Sequence, residues 1–131
     1  MQDLDPGATT RRFLRAFSAV DFATMRSLLA DDARAYITNA EGGVDRVDGA
    51  DAYLARVAAM DLPSADLALT LTQLADVAPE QVLAMVEIRA RRGGRSLHNY
   101  AAHLLTIQAG RITELRMVEA KPAESARFWL S

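Results

Sequence analysis

Three consecutive strand-like segments fill residues 81–120, QVLAMVEIRARRGGRSLHNYAAHLLTIQAGRITELRMVEA. Side chains alternate between apolar and more polar along much of each segment, as in a strand that buries one face. The Gly93-Gly94 pair separates the first two segments, and Gln108-Ala109-Gly110 separates the second from the third. Both sequences are typical of tight turns, because glycine adopts positive φ without a steric cost. The sequence therefore predicts a three-stranded antiparallel meander at the centre of the fold.

The two turns also predict which residues lie opposite each other and which face of the sheet they share. The predicted pairs are Ala84 with His103, Ile88 with Asn99, Leu115 with His103, and Glu119 with Asn99. Residues two apart on one strand point to the same side, so these pairs define one apolar face with three polar exceptions. The polar exceptions that matter below are His103, Asn99 and Glu119.

The flanking segments predict helices and two further strands. Helical spacing of apolar residues occurs in 6–18, 22–30 and 49–60, and strand-like alternation occurs in 33–38 and 67–72. Residues 39–45 contain two glycines and are predicted as a loop, and residues 122–130 as a final turn of helix. This order predicts one α+β domain spanning residues 1–131, with its helices on one face of an antiparallel sheet.

Composition limits the classes of function. The 15 Lys and Arg residues are balanced by 17 Asp and Glu residues, so no general basic field is available for nucleic acid. The absence of cysteine excludes disulfides, thiolate metal sites and a cysteine nucleophile. No apolar run has the length of a membrane span, and residues 1–5 lack the pattern of a secretory signal. These features predict a cytoplasmic protein that binds neither nucleic acid nor membrane.

Neither a metal nor a nucleotide cofactor is predicted. His98 and His103 are five positions apart on one strand, so their side chains point to opposite faces and cannot share an ion. The glycine pairs at 42–43 and 93–94 lack the spacing of a phosphate-binding loop. A basic cluster at the first hairpin tip is predicted to be a solvated turn, with an anion contact as the alternative. It consists of Arg89, Arg91, Arg92 and Arg95.

The outward face of the predicted sheet is partly apolar. Three helices cannot cover both faces of a sheet of this size, and such a surface is seldom left in water. A second copy of the chain would cover it most simply, because a self-complementary contact needs only one surface. The chain is therefore expected to form a homodimer through Leu83, Met85, Tyr100, Leu104 and Val118.

The order of elements and three short phrases resemble the nuclear transport factor 2-like superfamily, in particular its SnoaL-like and ketosteroid-isomerase-like members. The phrases are LLADDA at residues 28–33, VDG at residues 47–49 and GRITE at residues 110–114. The resemblance implies an α+β roll of the cystatin-like or SnoaL-like type, in which a curved antiparallel sheet forms a cone around three helices and leaves an apolar pocket. Folds of this kind host many functions, so the chemistry must be found in the pocket.

The functional residues of known members match this sequence only in part. The position of the proton-moving aspartate of steroid isomerases is occupied by Ile37, and that of their oxyanion-hole tyrosine by Phe13. The neutral acid of that hole falls on His103, and the catalytic acid of SnoaL-like polyketide cyclases falls on Met117. The resemblance therefore implies a hydrophobic pocket with His103 as a polar group, without the carboxylate mechanism of either group.

Three inward polar residues are the candidates for catalysis. His103 lies opposite a small residue, and a neutral imidazole can both donate and accept a hydrogen bond. Glu119 or His103 could act as general base while Asn99 holds a substrate oxygen. The alternatives are a satisfied core histidine, and a Glu119 that pairs with Lys121 or caps the tail. The residues expected to contact the ligand are Phe13, Phe17, Ile37, Tyr36, Tyr53, Val86, Leu115 and Met117. A one-residue slip of the first strand would exchange Ile37 for Tyr36 at the wall.

Two hypotheses of function follow. In the first, the protein is a cofactor-independent isomerase, cyclase or dehydratase that acts on a hydrophobic small molecule, with His103 as its acid-base group. In the second, the same fold is a non-catalytic ligand-binding or structural homodimer, which the absence of the usual carboxylates favours.

Overall fold

The computed structural model describes residues 5–130, which form one mixed sheet of six strands and four α-helices. The helices are α1 (Pro6–Ser18), α2 (Phe22–Leu28), α3 (Ala50–Ala58) and α4 (Pro122–Trp129). The strands are β1 (Leu29–Thr38), β2 (Val44–Asp48), β3 (Ala68–Ala78), β4 (Gln81–Arg92), β5 (Arg95–Gln108) and β6 (Arg111–Glu119). The strands lie in the order β2-β1-β6-β5-β4-β3. The predicted α+β architecture, a curved sheet packed on helices, is confirmed.

The predicted meander is present as β4, β5 and β6. Its first hairpin has the predicted register, confirmed by the pairs Ala84 with His103 and Ile88 with Asn99. The two glycines of the turn have φ angles of 56° and 81°, a conformation that side chains other than glycine adopt at a cost. The residues of this turn were therefore sufficient to predict how β4 pairs with β5.

The second hairpin is offset by two residues from the prediction. Its turn contains only residues 109–110, and a bulge leaves Thr113 of β6 unpaired, so each contributes one residue of the offset. The observed pairs are His103 with Met117 and Ala101 with Glu119, in place of Leu115 with His103 and Glu119 with Asn99. The predicted pairs are wrong, but an offset of two preserves the parity of the strand. Met117 and Glu119 consequently still point inward.

The edge of the sheet departs from the prediction in two ways. β1 begins at Leu29 rather than at residue 33, and it pairs with β6 in the parallel direction. Residues 44–48, of which 44–45 were predicted as loop and none as strand, form β2 antiparallel to β1. β2 is an edge strand with no buried residue, so it lacks the apolar alternation by which strands are recognised in a sequence.

The helices bury their apolar sides against the inner face of the sheet. Asp21 is the N-cap of α2, and its Oδ1 accepts the backbone N–H of Thr24 at 3.1 Å. Phe13 of α1 and Tyr53 of α3 are buried in the main core. Burial of each such side chain stabilises the fold by about 2 kcal/mol. Within residues 5–130, no helix is both long enough and apolar enough to cross a membrane.

One residue of the predicted basic cluster is not solvated. The guanidinium of Arg92 donates to Ser64 Oγ at 2.9 Å and lies 5.3 Å from the ring centroid of Trp129. It also lies 5.7 Å from the ring centroid of Phe128. The expectation of a solvated turn or an anion contact is corrected for this residue, because protein oxygens accept from its donors and the aromatic rings of α4 lie at its face.

Candidate functional site

A small apolar cavity lies between the inner face of the sheet and helices α1, α3 and α4. Its volume is about 110 Å³, and it is partly open to solvent. It is lined by Phe13, Leu14, Phe17, Ile37, Tyr53, Arg56, Val57, Met60, Leu67, Leu69, Ile88, Ala101, His103, Leu115, Met117, Glu119 and Trp129. A wider depression of about 870 Å³ between the start of β5 and α4 is shallow and open. The small cavity between the sheet and the helices is therefore the candidate site.

Most of the residues expected around a ligand lie in this cavity wall. Those that line it are Phe13, Phe17, Ile37, Tyr53, Leu115 and Met117. Tyr36 does not line it, because Ile37 occupies the inward position. Tyr36 lies on the outer face, where its ring centroid is 4.1 Å from the Arg116 guanidinium carbon. Val86 points inward but is packed within the main core away from the cavity. The structure corrects the expectation that Tyr36 and Val86 contact a ligand there.

His103 presents a neutral imidazole to the cavity. Its Nδ1 is buried and has no hydrogen-bond partner among residues 5–130. Burial lowers the pKa of this side chain to about 4, because the charged imidazolium is poorly solvated in the apolar interior. A buried nitrogen without a partner is costly, so the ring is available to a polar group of a ligand.

The lowered pKa of His103 predicts a specific loss of stability in mild acid. The unfolded chain protonates this residue near pH 6.5 and the folded protein only near pH 4, so stability falls as the pH decreases between these values. The loss due to His103 is about 2 kcal/mol at pH 5. The raised pKa of Glu119 has the opposite effect, because it increases stability as the pH decreases. This contribution is present in both wild type and a His103→Gln variant. Urea unfolding of both at pH 7.5 and pH 5 should show the extra loss in wild type alone. Equal losses in both proteins would contradict the lowered pKa.

Glu119 presents a carboxyl group to the same cavity from β6. Its Oε1 accepts the Asn99 side-chain N–H at 3.1 Å, and the Ser125 hydroxyl of α4 also hydrogen-bonds to it. Burial raises the pKa of the Glu119 carboxyl, while the Ser125 hydrogen bond and the charge of Arg56 oppose that increase. The alternative pairing with Lys121 does not occur, because that ammonium donates to the carbonyl of His98 at 3.2 Å. The carboxyl group is thus held in place and only partly solvated.

Asn99 lies behind Glu119 rather than in the cavity. It is fully buried, and its Oδ1 accepts the backbone N–H groups of Tyr100 at 2.9 Å and Lys121 at 3.0 Å. Its side-chain nitrogen donates to Glu119, which leaves the amide engaged on both sides. The expectation that Asn99 holds a substrate oxygen is therefore corrected: Asn99 positions the carboxyl group of Glu119.

Three polar or aromatic residues at the site were not anticipated. Arg56 of α3 lines the cavity, and its Nη2 donates to Asp45 Oδ2 at 3.0 Å. Ser125 and Trp129 lie one helical turn apart on α4, the first hydrogen-bonded to Glu119 and the second in the cavity wall. Arg56 follows the buried Tyr53 by three positions, a spacing that could have placed it on the same side of the helix. No local feature of the sequence indicates that α4 packs against the cavity.

The second histidine lies on the opposite face of the sheet. His98 Nε2 is 2.7 Å from Glu87 Oε2, and this contact is the largest cause of the lowered pKa of Glu87. Across the described part of the chain, no three or more His, Asp or Glu side chains are grouped so that they could hold a metal ion.

Solved structures share this fold over nearly the whole chain. Bal32a, from a soil-derived mobile gene cassette, superposes with a TM-score of 0.82 at 19% identity over 97% of this chain and 98% of its own. An LEH-like epoxide hydrolase of Mycobacterium tuberculosis has a TM-score of 0.76 at 18% identity, with coverage of 96% and 90%. IdmH of Streptomyces antibioticus, a candidate polyketide cyclase, has a TM-score of 0.75 at 18% identity, with coverage of 93% and 96%. At these identities the likeness shows the fold alone.

Sequence comparison identifies the family. The model of the SnoaL-like domain matches residues 10–115. An uncharacterized protein of Mycobacterium tuberculosis is 37% identical over 133 residues, which cover 97% of this chain and 95% of the relative. An uncharacterized protein of Mycobacterium bovis matches to the same extent. With its curved sheet, its enclosed cavity and this match over most of its length, the chain belongs to the SnoaL-like domain family.

Proposed function

We propose that the protein catalyses a cofactor-independent proton transfer, of the isomerase, cyclase or dehydratase type, on a hydrophobic small molecule that carries a carbonyl group. One observation carries this proposal: a partly buried carboxyl group and a neutral imidazole face the same apolar cavity. In this proposal Glu119 removes the proton next to the carbonyl, and a ring N–H of His103 donates to the carbonyl oxygen as negative charge develops there.

The two pKa shifts support this division of roles. A carboxyl group with a raised pKa is a stronger base toward carbon acids than an ordinary glutamate. An imidazole whose pKa is lowered to about 4 is a poor base at neutral pH, yet it remains a hydrogen-bond donor. His103 therefore stabilises charge in this proposal, and Glu119 moves the proton.

The strand register supports a substrate lying between these two groups. Glu119 is paired with Ala101, and His103 is the next residue on that face of β5. Diagonal neighbours of this kind have Cβ atoms about 7 Å apart. This separation leaves room for a carbon acid at Glu119 and its carbonyl oxygen at His103.

Deuterium exchange tests the proposed function directly. The protein is incubated in D₂O with cyclohexanone, and the loss of the proton signals next to the carbonyl is followed by NMR. We expect exchange above the buffer rate, proportional to protein concentration and saturable in ketone. Saturable binding by calorimetry without accelerated exchange would overturn the proposal and favour the second hypothesis, a ligand-binding protein without catalysis. The apolar residues Ile37 and Met117, at the positions of family acids, are the observation that keeps this alternative open.

We also propose that the chain forms a homodimer through the outer face of the sheet. Met85, Ala102 and Val118 form one row across β4, β5 and β6, and Tyr100 lies next to this row. The exposed fractions of Val118 and Tyr100 are 61% and 45%, which are high for large apolar side chains. A second copy of this face would remove them from water.

A charge placed in this face is expected to separate the dimer. Leu104→Glu should give the mass of one chain by light scattering at micromolar concentration, where wild type gives the mass of two, because an unpaired carboxylate is costly to desolvate. Ser96→Glu, an exposed position at the far end of the same strand, should stay dimeric. A wild-type mass of one chain would refute the proposed dimer.

A further inference from the structure

We propose that α4 determines the size of ligand that this cavity accepts. Trp129 restricts the cavity to compact carbonyl compounds of about one ring, and Arg92 holds Trp129 in that position. That the ligand carries a carbonyl group rests on the proposed function, whereas the size limit and the role of Arg92 do not. Neither residue contributes to the proton transfer itself.

The volume of the cavity sets the size limit. Sites for drug-sized ligands usually enclose about 300 to 1,000 Å³, whereas this cavity encloses about 110 Å³. An apolar cavity of roughly 150 Å³ in another protein admits benzene, so a single ring is near the upper limit here. A ligand with several fused rings requires one wall to move.

The wall contributed by α4 differs from the others in how it is held. The sheet walls belong to hydrogen-bonded ladders, and Phe13 and Tyr53 of the other helices are buried in the main core. The buried anchor of α4 is Phe128, which belongs to a separate small cluster, and Trp129 is only partly buried at the border between that cluster and the main core. Trp129 packs edge-on against Phe128, with ring centroids 4.9 Å apart, and its indole forms part of the cavity wall. Trp129 is therefore the large side chain whose position depends on the docking of a single short helix.

Arg92 fixes the end of that helix. Its Nη1 donates to the backbone carbonyl of Trp129 at 3.4 Å, and its guanidinium lies over the indole at 5.3 Å. The same guanidinium donates to the carbonyls of Met60 at 2.5 Å and Asp61 at 2.8 Å, just after α3. One planar group thus ties α4 to the segment after α3, a geometry that a lysine ammonium cannot reproduce.

A series of saturated ketones tests the size limit by binding alone. The probes are cyclohexanone with one ring, 1-decalone with two and a steroid 3-ketone with four, and dissociation constants are measured by calorimetry. For wild type we expect the one-ring ketone to bind and the four-ring ketone to bind at least 100-fold more weakly. Trp129→Ala is expected to tighten binding of the two-ring ketone at least tenfold, and Trp129→Phe to have a smaller effect in the same direction.

The role of Arg92 has its own readout, because the chain contains a single tryptophan. Arg92→Ala should shift the emission of Trp129 to longer wavelength and widen the accepted ligand size as Trp129→Ala does. Arg91→Ala, an exposed neighbour on the same strand, should change neither property. Should Arg92→Ala fail to fold, Arg92→Lys keeps the positive charge but not the planar fork, and the same shift in smaller amount is expected.

Three outcomes would overturn the inference. They are equal affinity of wild type for the one-ring and four-ring ketones, no binding of cyclohexanone, and Arg92 variants with unchanged emission and unchanged ligand range. Size-selective binding without deuterium exchange would instead refute the proposed catalysis and leave the role of α4 intact. The two proposals therefore fail separately.

Discussion

Replacing Glu119 with glutamine is expected to lower the rate of deuterium exchange into cyclohexanone by about 1000-fold, within the range that a general base contributes. Glutamine has nearly the same shape, and its carbonyl can still accept from Asn99 and Ser125, so the fold and the cavity should be retained. What the variant loses is the carboxylate lone pair that takes the proton. The NMR assay measures this directly, with calorimetry showing that ketone binding persists.

The control for this variant removes the same charge from an exposed position. Glu124 lies in the first turn of α4 and is exposed, so Glu124→Gln should exchange deuterium at the wild-type rate. In wild type the rate should increase with pH through the raised pKa of Glu119 and then level off, because only the carboxylate form accepts a proton. A Glu119→Gln variant that retains the rate and its pH dependence would show that another group is the base.

Replacing Asn99 with alanine is expected to lower the free energy of unfolding by about 3 kcal/mol. The side chain is fully buried, and its loss leaves the backbone N–H groups of Tyr100 and Lys121 without their acceptor. Each buried donor left unpaired costs about 1–3 kcal/mol. Removal of the amide also frees the Glu119 carboxyl from one hydrogen bond, so the exchange rate should fall as well.

Urea unfolding measures this loss against an exposed amide on the same strand. Gln108 is exposed and its side-chain nitrogen donates to Glu80 Oε1 at 3.1 Å, so Gln108→Ala should cost no more than about 0.5 kcal/mol. If Asn99→Ala costs as little as Gln108→Ala, the amide does not hold the junction between β5 and α4.

How well the sequence predicted each part of the fold depends on how far apart along the chain the interacting residues lie. A two-residue turn and strand parity are local, so the face carrying His103 and the register with Ala84 were predictable. The parallel pairing of β1 with β6 joins segments about 80 residues apart, and no local pattern encodes it. The bulge at Thr113 is one residue in a strand of ordinary composition, and together with the shorter turn it displaced the second register from the prediction.

The candidate site was predictable to a similar degree. Parity shows which face a side chain occupies but not how deep it lies, so Asn99 and Val86 were expected in the cavity although both are packed away from it. Ile37 and Met117 were placed at the wall because the inward positions of β1 and β6 are set by alternation. Arg56 and Trp129 reach the cavity from α3 and α4, whose docking depends on residues distant in the sequence, such as Arg92 for α4.

The anchoring of α4 through its own small cluster has a consequence for how relatives of this protein could diverge. Phe128, the buried aromatic residue of α4, belongs to the small cluster and not to the main core formed with α1, α2 and α3, and only Trp129 of this helix packs against that core. A lineage could therefore acquire a larger or smaller ligand through changes within the eight residues of this helix, while the sheet wall that carries His103 and Glu119 is inherited unchanged. Differences in ligand range among members of the family would then be concentrated in this helix and at the position of Arg92.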